Sequence, residues 1–198
     1  MPNKTSPTLP DEFLSAEFEY IANSAFQANE DRSKSASFFL VSVGSLVAAI
    51  FGAQLLNGTP EELLVAYRSL AGLFLVLTIL GALTVMQLAR LRLAWYDAAA
   101  AMNKMKDFYV TRNIDLADAF LWKTGSLPKK FKAESISFYI AFEVALLSAL
   151  TFGAFVYFSM LSANLPCDPW PISIGAGIVA FVLLLLRYKR MLTKERKP

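Results

Sequence analysis

The chain has 198 residues, 56% of them hydrophobic, with a mean hydropathy of +0.45, a formal net charge of +3 and no histidine. That apolar share is well above the usual content of a soluble domain. The absence of histidine removes the commonest catalytic base and metal ligand, and a single cysteine, Cys167, excludes an intramolecular disulfide.

Met1 to Leu9 reads as a disordered start, and Pro10-Asp11-Glu12 as a helix N-terminus with Asp11 as its cap. Apolar residues then recur at Leu14, Phe18, Ile21, Ala25 and Ala28, one stripe of a helix. No proline or glycine interrupts before Gly44, so this helix is expected to enter the first apolar run, Phe38 to Leu56, with little or no break. The polar, acidic residues ahead of that run predict an uncleaved anchor rather than a cleaved signal. Asn57-Gly58-Thr59-Pro60 is a breaker cluster, and Glu61 and Glu62 suit the first turn of the next helix.

The second apolar run, Leu70 to Ala89, passes through Gln87 and Arg90 into another stripe, Leu91, Trp95, Ala98, Met102, Met105 and Tyr109. Packing this stripe on the first would extend the hairpin as an antiparallel pair. Alternatively Trp95, Met102, Met105 and Tyr109 form an interaction surface for a cytoplasmic partner protein. Asn113 or Asp115 is expected to cap a short helix through Trp122, with Ile114, Ala117, Leu121 and Trp122 on its apolar side. Lys129, Lys130 and Lys132 follow Gly125-Ser-Leu-Pro128 and precede the third run, Ile136 to Leu161. A proline-stiffened turn, Asn164 to Pro171, leads to the fourth, Ile172 to Leu186, and to a basic tail.

A bilayer core of ~30 Å needs roughly 20 helical residues, so the first three runs are comfortable spans and the fourth a short one. Eighteen of the nineteen Lys and Arg residues fall outside the two inter-span turns, which contain only Arg68. The positive-inside rule then places both termini in the cytoplasm. The expected segments are 1–36, an N-terminal amphipathic helix; 37–90, a first hairpin; 91–135, a helical connector; 136–188, a second hairpin; and 189–198, the tail. The fold class is all-α, a polytopic membrane protein of four transmembrane helices with cytoplasmic helical extensions.

The two hairpins look like parallel repeats. Ser35-Ala-Ser-Phe-Phe-Leu40 matches Ser135-Ile-Ser-Phe-Tyr-Ile140, and Gly44, Ala48 and Gly52 fall on Ala145, Ala149 and Gly153. Small-residue stripes of this spacing permit close helix contact, and their expected use is to pack the first and third spans together. Glu143 replaces Ser42 in that register. It lies inside the third span, where an acidic side chain costs about 2.5–3.5 kcal/mol. One reading makes Glu143 a carboxylate on a water-filled ion path. The other makes it polar glue joined to Ser42, Ser45, Gln87 or Arg90 on a neighbouring helix.

The layout of helix, two spans and second helix from Pro10 to Tyr109 resembles the SLATT-type two-span domains, predicted membrane effectors of bacterial conflict systems. That resemblance implies an oligomeric, pore-forming protein of a bacterial inner membrane. The residues show no phosphate loop, metal-ligand cluster or nucleophile–base arrangement, so no enzymatic activity, metal or cofactor is expected. The expected partners are the lipid bilayer and further copies of the chain, with no nucleic acid. The leading expectation is a homo-oligomeric ion path or regulated pore; the rivals are a scaffold or sensor subunit and a small transporter.

Overall fold

The computed structural model describes residues 9–52, 58–112, 114–116 and 118–193. The fold is all-α. Helix α1 spans Leu9–Gly52, α2 Pro60–Arg112, α3 Ile136–Ser162 and α4 Pro169–Thr193. All four are long and apolar enough to cross a membrane by length and composition. At ~1.5 Å per residue, α1 and α2 are roughly 65 and 80 Å long, against roughly 40 Å for α3 and α4. The first hairpin therefore projects well beyond the second. The helix α1 begins two residues before Asp11, whose side chain lies outside the described residues, and continues unbroken to Gly52.

Local chemistry sets the helix ends. Thr59 and Glu62 form a capping box: the Thr59 backbone N–H donates to Glu62 Oε2 at 2.7 Å, and the Glu62 N–H donates to Thr59 Oγ1 at 3.4 Å. Pro60 takes the first helical position, where no N–H is needed. Thr59→Ala should lower the melting temperature by about 2–4 °C, the effect of one lost cap in a chain of this size, with amide exchange accelerated in the first turn of α2. Ser135 caps α3, accepting from the Phe138 N–H at 3.3 Å. At its far end Asn164 adopts φ 48°, and the Leu165 N–H reaches back to the Met160 carbonyl at 3.4 Å. This is a Schellman stop. Asp168 then accepts from the Trp170 N–H at 3.0 Å to start α4.

Successive helices run antiparallel, with α2 packed between α1 and α3, and α4 on the far side of α3. The core is formed by Phe39 and Val43 of α1, Leu70 to Ala89 of α2, Ala141 to Ala145 of α3, and Tyr188 and Leu192 of α4. Gly81 sets the spacing. A Cβ there would lie 2.5 Å from the Ser148 Cβ and 2.7 Å from the Phe39 ring. With hydrogen in its place, α1 and α3 both close onto the same turn of α2.

Two expectations are corrected. The small-residue stripes do not join α1 to α3, which meet at Arg32 and Ser137 instead. Ala48 is exposed, and a Cβ at Gly44 or Gly52 would meet nothing within 4 Å. Ala149 and Gly153 instead back onto α4, where a Cβ on Gly177 would sit 3.2 Å from the Ala149 carbonyl oxygen; Ala145 is fully buried. The expected helix through Trp122 is also missing. Short 3₁₀ turns at Ile114–Leu116 and Thr124–Ser126 stand in its place, with Ile114 80% and Leu121 85% exposed. A helix that short forms only when an apolar face is packed, and Ile114 and Leu121 stay largely exposed. Asn113 and Ala117 lie outside the described residues.

Candidate functional site

Several hydroxyls within the apolar segments are hydrogen-bonded inside the chain, whereas Ser173 Oγ on α4 is buried without a partner. Ser42 donates to the Phe38 carbonyl at 2.8 Å and Thr84 to Leu80 at 2.9 Å. Thr78 donates to Phe74 and lies 3.1 Å from Thr151 across the α2–α3 contact, where Ser148 also donates to the Thr78 carbonyl at 3.2 Å. These groups stitch helices together or back-bond to their own. Gln54 lies outside the described residues.

Glu143 differs from all of them. It sits on the exposed face of α3 with Tyr139, Phe142, Leu146 and Leu150. No hydrogen bond or ion pair joins it to Ser42, Ser45, Gln87, Arg90 or any other described residue. Gln87 and Arg90 are themselves exposed on α2. The four candidate polar residues are thus not gathered into one intrachain cluster. Outward along the same α3 face, Leu146 and Leu150 begin an apolar groove of about 470 Å³ between α3 and α4, closed at its far end by Tyr157 and Trp170.

At the basic end of the bundle the four helices meet around two buried arginines. Arg32 of α1 and Arg92 of α2 are only 9% and 7% exposed. The Arg32 guanidinium donates to Ser137 Oγ on α3 and to Asn29 Oδ1 at 2.7 Å, while its Nε is buried with no partner. Arg92 lies over the Trp95 ring at 4.5 Å, close enough to Arg32 for the two charges to repel. Tyr188 of α4 donates to the Ser137 carbonyl at 3.3 Å and faces both arginines. The partners seen for these two cations among the described residues are neutral: Ser137, Asn29 and the Trp95 ring.

No protein-family model, curated protein or solved structure matches this chain. The functional reading therefore rests on its own residues.

Beyond the arginines, the α2 stripe is half-buried. Trp95 and Met102 line a cavity of about 290 Å³ closed by Trp122, Leu127 and Pro128 of the connector, with Met105 and Tyr109 further along. The connector is held there by Asn103, which donates to the Lys123 carbonyl at 3.0 Å, and by Asp107, which accepts from the Thr124 N–H at 3.3 Å. Lys106 of α2 also sits over Phe18 of α1 at 5.8 Å, so part of the first stripe does meet the second helix.

The buried arginines were legible in sequence but not picked out. Arg32 falls on the register Ala25, Ala28, Ala36, Phe39, Val43, and Arg92 on Leu70, Phe74, Leu77, Gly81, Val85, Leu88, both lines of core residues. A cation in a core register was the available signal; counted only as topology markers, they gave no sign of burial.

Proposed function

We propose that the chain is inserted in a membrane with both termini in the cytoplasm, that copies of it assemble, and that the assembly forms a regulated ion path beside Glu143. The observation that carries this reading is Glu143, exposed and without a partner among the described residues, on an apolar helix whose Ser148 and Thr151 hydroxyls are hydrogen-bonded. A carboxylate left against lipid costs several kcal/mol; a neighbouring subunit with water at the contact removes that cost. The remaining apolar surface supports insertion. Only 6% of the apolar window of α4 and 17% of that of α1 are buried within the chain, so the single bundle cannot keep them from water. The outward-facing Gly44, Ala48 and Gly52 suit close approach of another helix. The SLATT-like layout of the first hairpin adds an effector of bacterial defence or stress signalling as the biological setting.

A second reading, a membrane-anchored scaffold, draws support from Leu121 and Trp122, which are 85% and 59% exposed on the connector. A cytoplasmic protein seated there would cover both.

Single-cysteine cross-linking tests the assembly. In a Cys167→Ser background, Tyr139→Cys and Leu146→Cys should cross-link between copies, while cysteines at Leu121 and Trp122 should not. Cross-links from the connector alone, to a different protein rather than to another copy, would favour the scaffold.

A further inference from the structure

We infer that Arg32 and Arg92 form a binding site for a phosphate-bearing anion at the basic end of the bundle. Two like charges more than nine-tenths buried and within range of each other are costly unless an opposite charge compensates them. The partners seen for the two arginines among the described residues are Ser137, Asn29 and the Trp95 ring, none of them an anion. The Arg32 Nε is a buried donor with no acceptor, and a donor so placed calls for a missing partner. Ser137 stands in the first turn of α3, where backbone N–H groups lack helical acceptors and the helix dipole is positive. Tyr188 closes the site from α4. The Arg92 guanidinium can bind a tetrahedral oxyanion by paired hydrogen bonds, which a lysine could not do, with the Arg32 Nε as a further donor.

The position narrows the source. The site lies at the entrance of the α3 apolar segment, beside exposed Lys129 and Lys132, the level at which phospholipid phosphates would sit around an inserted bundle. A lipid headgroup and a soluble phosphate present the same chemistry, so the experiment must separate them. The inference stands apart from Glu143 and from any ion path.

The test is thermal unfolding of the full chain in three settings: dodecyl maltoside micelles, which carry no phosphate; the same micelles with added phosphatidylglycerol; and the same micelles with inorganic phosphate replacing chloride at constant ionic strength. An anion present at a hundred times its dissociation constant should raise the melting temperature by roughly 5–10 °C. A rise in the phosphatidylglycerol arm alone assigns a lipid headgroup; a rise with inorganic phosphate assigns a soluble ligand. Arg92→Met and Arg32→Met should abolish the rise and be at least as stable as the parent in the phosphate-free micelles, since an uncompensated charge is replaced by an apolar side chain. Lys129→Gln with Lys132→Gln should keep it. Should the methionine variants fail to fold, Arg92→Lys, which keeps the charge but loses the fork, should lose most of the rise. An unshifted parent in both anion arms would overturn the site. So would a full shift surviving in Arg92→Met or, where that variant does not fold, in Arg92→Lys.

Discussion

Gly81→Val should prevent the helices from closing, lowering stability by at least about 3 kcal/mol, or roughly 6–12 °C in melting temperature. The first added carbon alone would sit 2.5 Å from the Ser148 Cβ, 2.6 Å from its Oγ and 2.7 Å from the Phe39 ring. No side-chain rotation relieves a clash with a Cβ, so α2 would have to move away from α3, from α1, or from both. The clash has a diagnostic. Gly81→Ala combined with Ser148→Gly should be less destabilising than the two single effects added, because the second change removes the atoms the first one meets. Gly72→Ala is the matched control: nothing lies within 4 Å of a Cβ there, so alanine should be neutral or slightly stabilising through its higher helix propensity. Equal effects at positions 72 and 81 would contradict the placement of α2 between α1 and α3.

Glu143→Leu should leave that packing untouched and yet close the proposed ion path. Its side chain touches no described hydrogen-bond partner and faces away from the core, so helix content and melting temperature should hold. Removing a carboxylate from an apolar segment also eases insertion, by about 2.5–3.5 kcal/mol on insertion scales. Conduction should respond in the opposite sense. A fixed negative charge near an aqueous constriction stabilises a passing cation by well over 1.4 kcal/mol at the effective dielectric constant of a protein–water boundary, and that much is a factor of ten in occupancy. Cation flux per folded assembly should fall at least tenfold. A better-inserted, equally stable protein with lower flux is a combination that simple misfolding does not produce.

Much of the architecture was readable because long apolar runs and their flanking stripes have one physical solution, a helix. Leu14 to Ala28 and Leu91 to Tyr109 announced the long extensions, since a stripe continued past an apolar run without a breaker has no reason to stop. Thr59-Pro-Glu-Glu62 carried its capping box in plain sight. What failed is also instructive. Gly44, Ala48 and Gly52 have the spacing of a packing stripe, but spacing fixes only that the residues share a face, not which neighbour the face meets. The choice fell to Gly81, an isolated glycine whose importance depends on Ser148 and Phe39 arriving from two other helices. Ile114 to Trp122 was read as a helix from local pattern, though so short an element depends on tertiary support it does not receive. Arg32 and Arg92 show the converse: their registers revealed burial, and counting charge by segment concealed it.

The most direct measurement is the reversal potential across a membrane containing the purified assembly, with a salt gradient imposed, for the parent beside Glu143→Gln. This substitution keeps the size and a polar end that still hydrogen-bonds, replaces one acceptor oxygen by an NH2 donor, and removes the charge. The proposed function predicts a cation-selective potential in the parent that collapses toward zero in the variant, with subunit number and melting temperature unchanged. A parent that folds and assembles but passes no ions, or a variant with the parent's selectivity, would contradict an ion path beside Glu143.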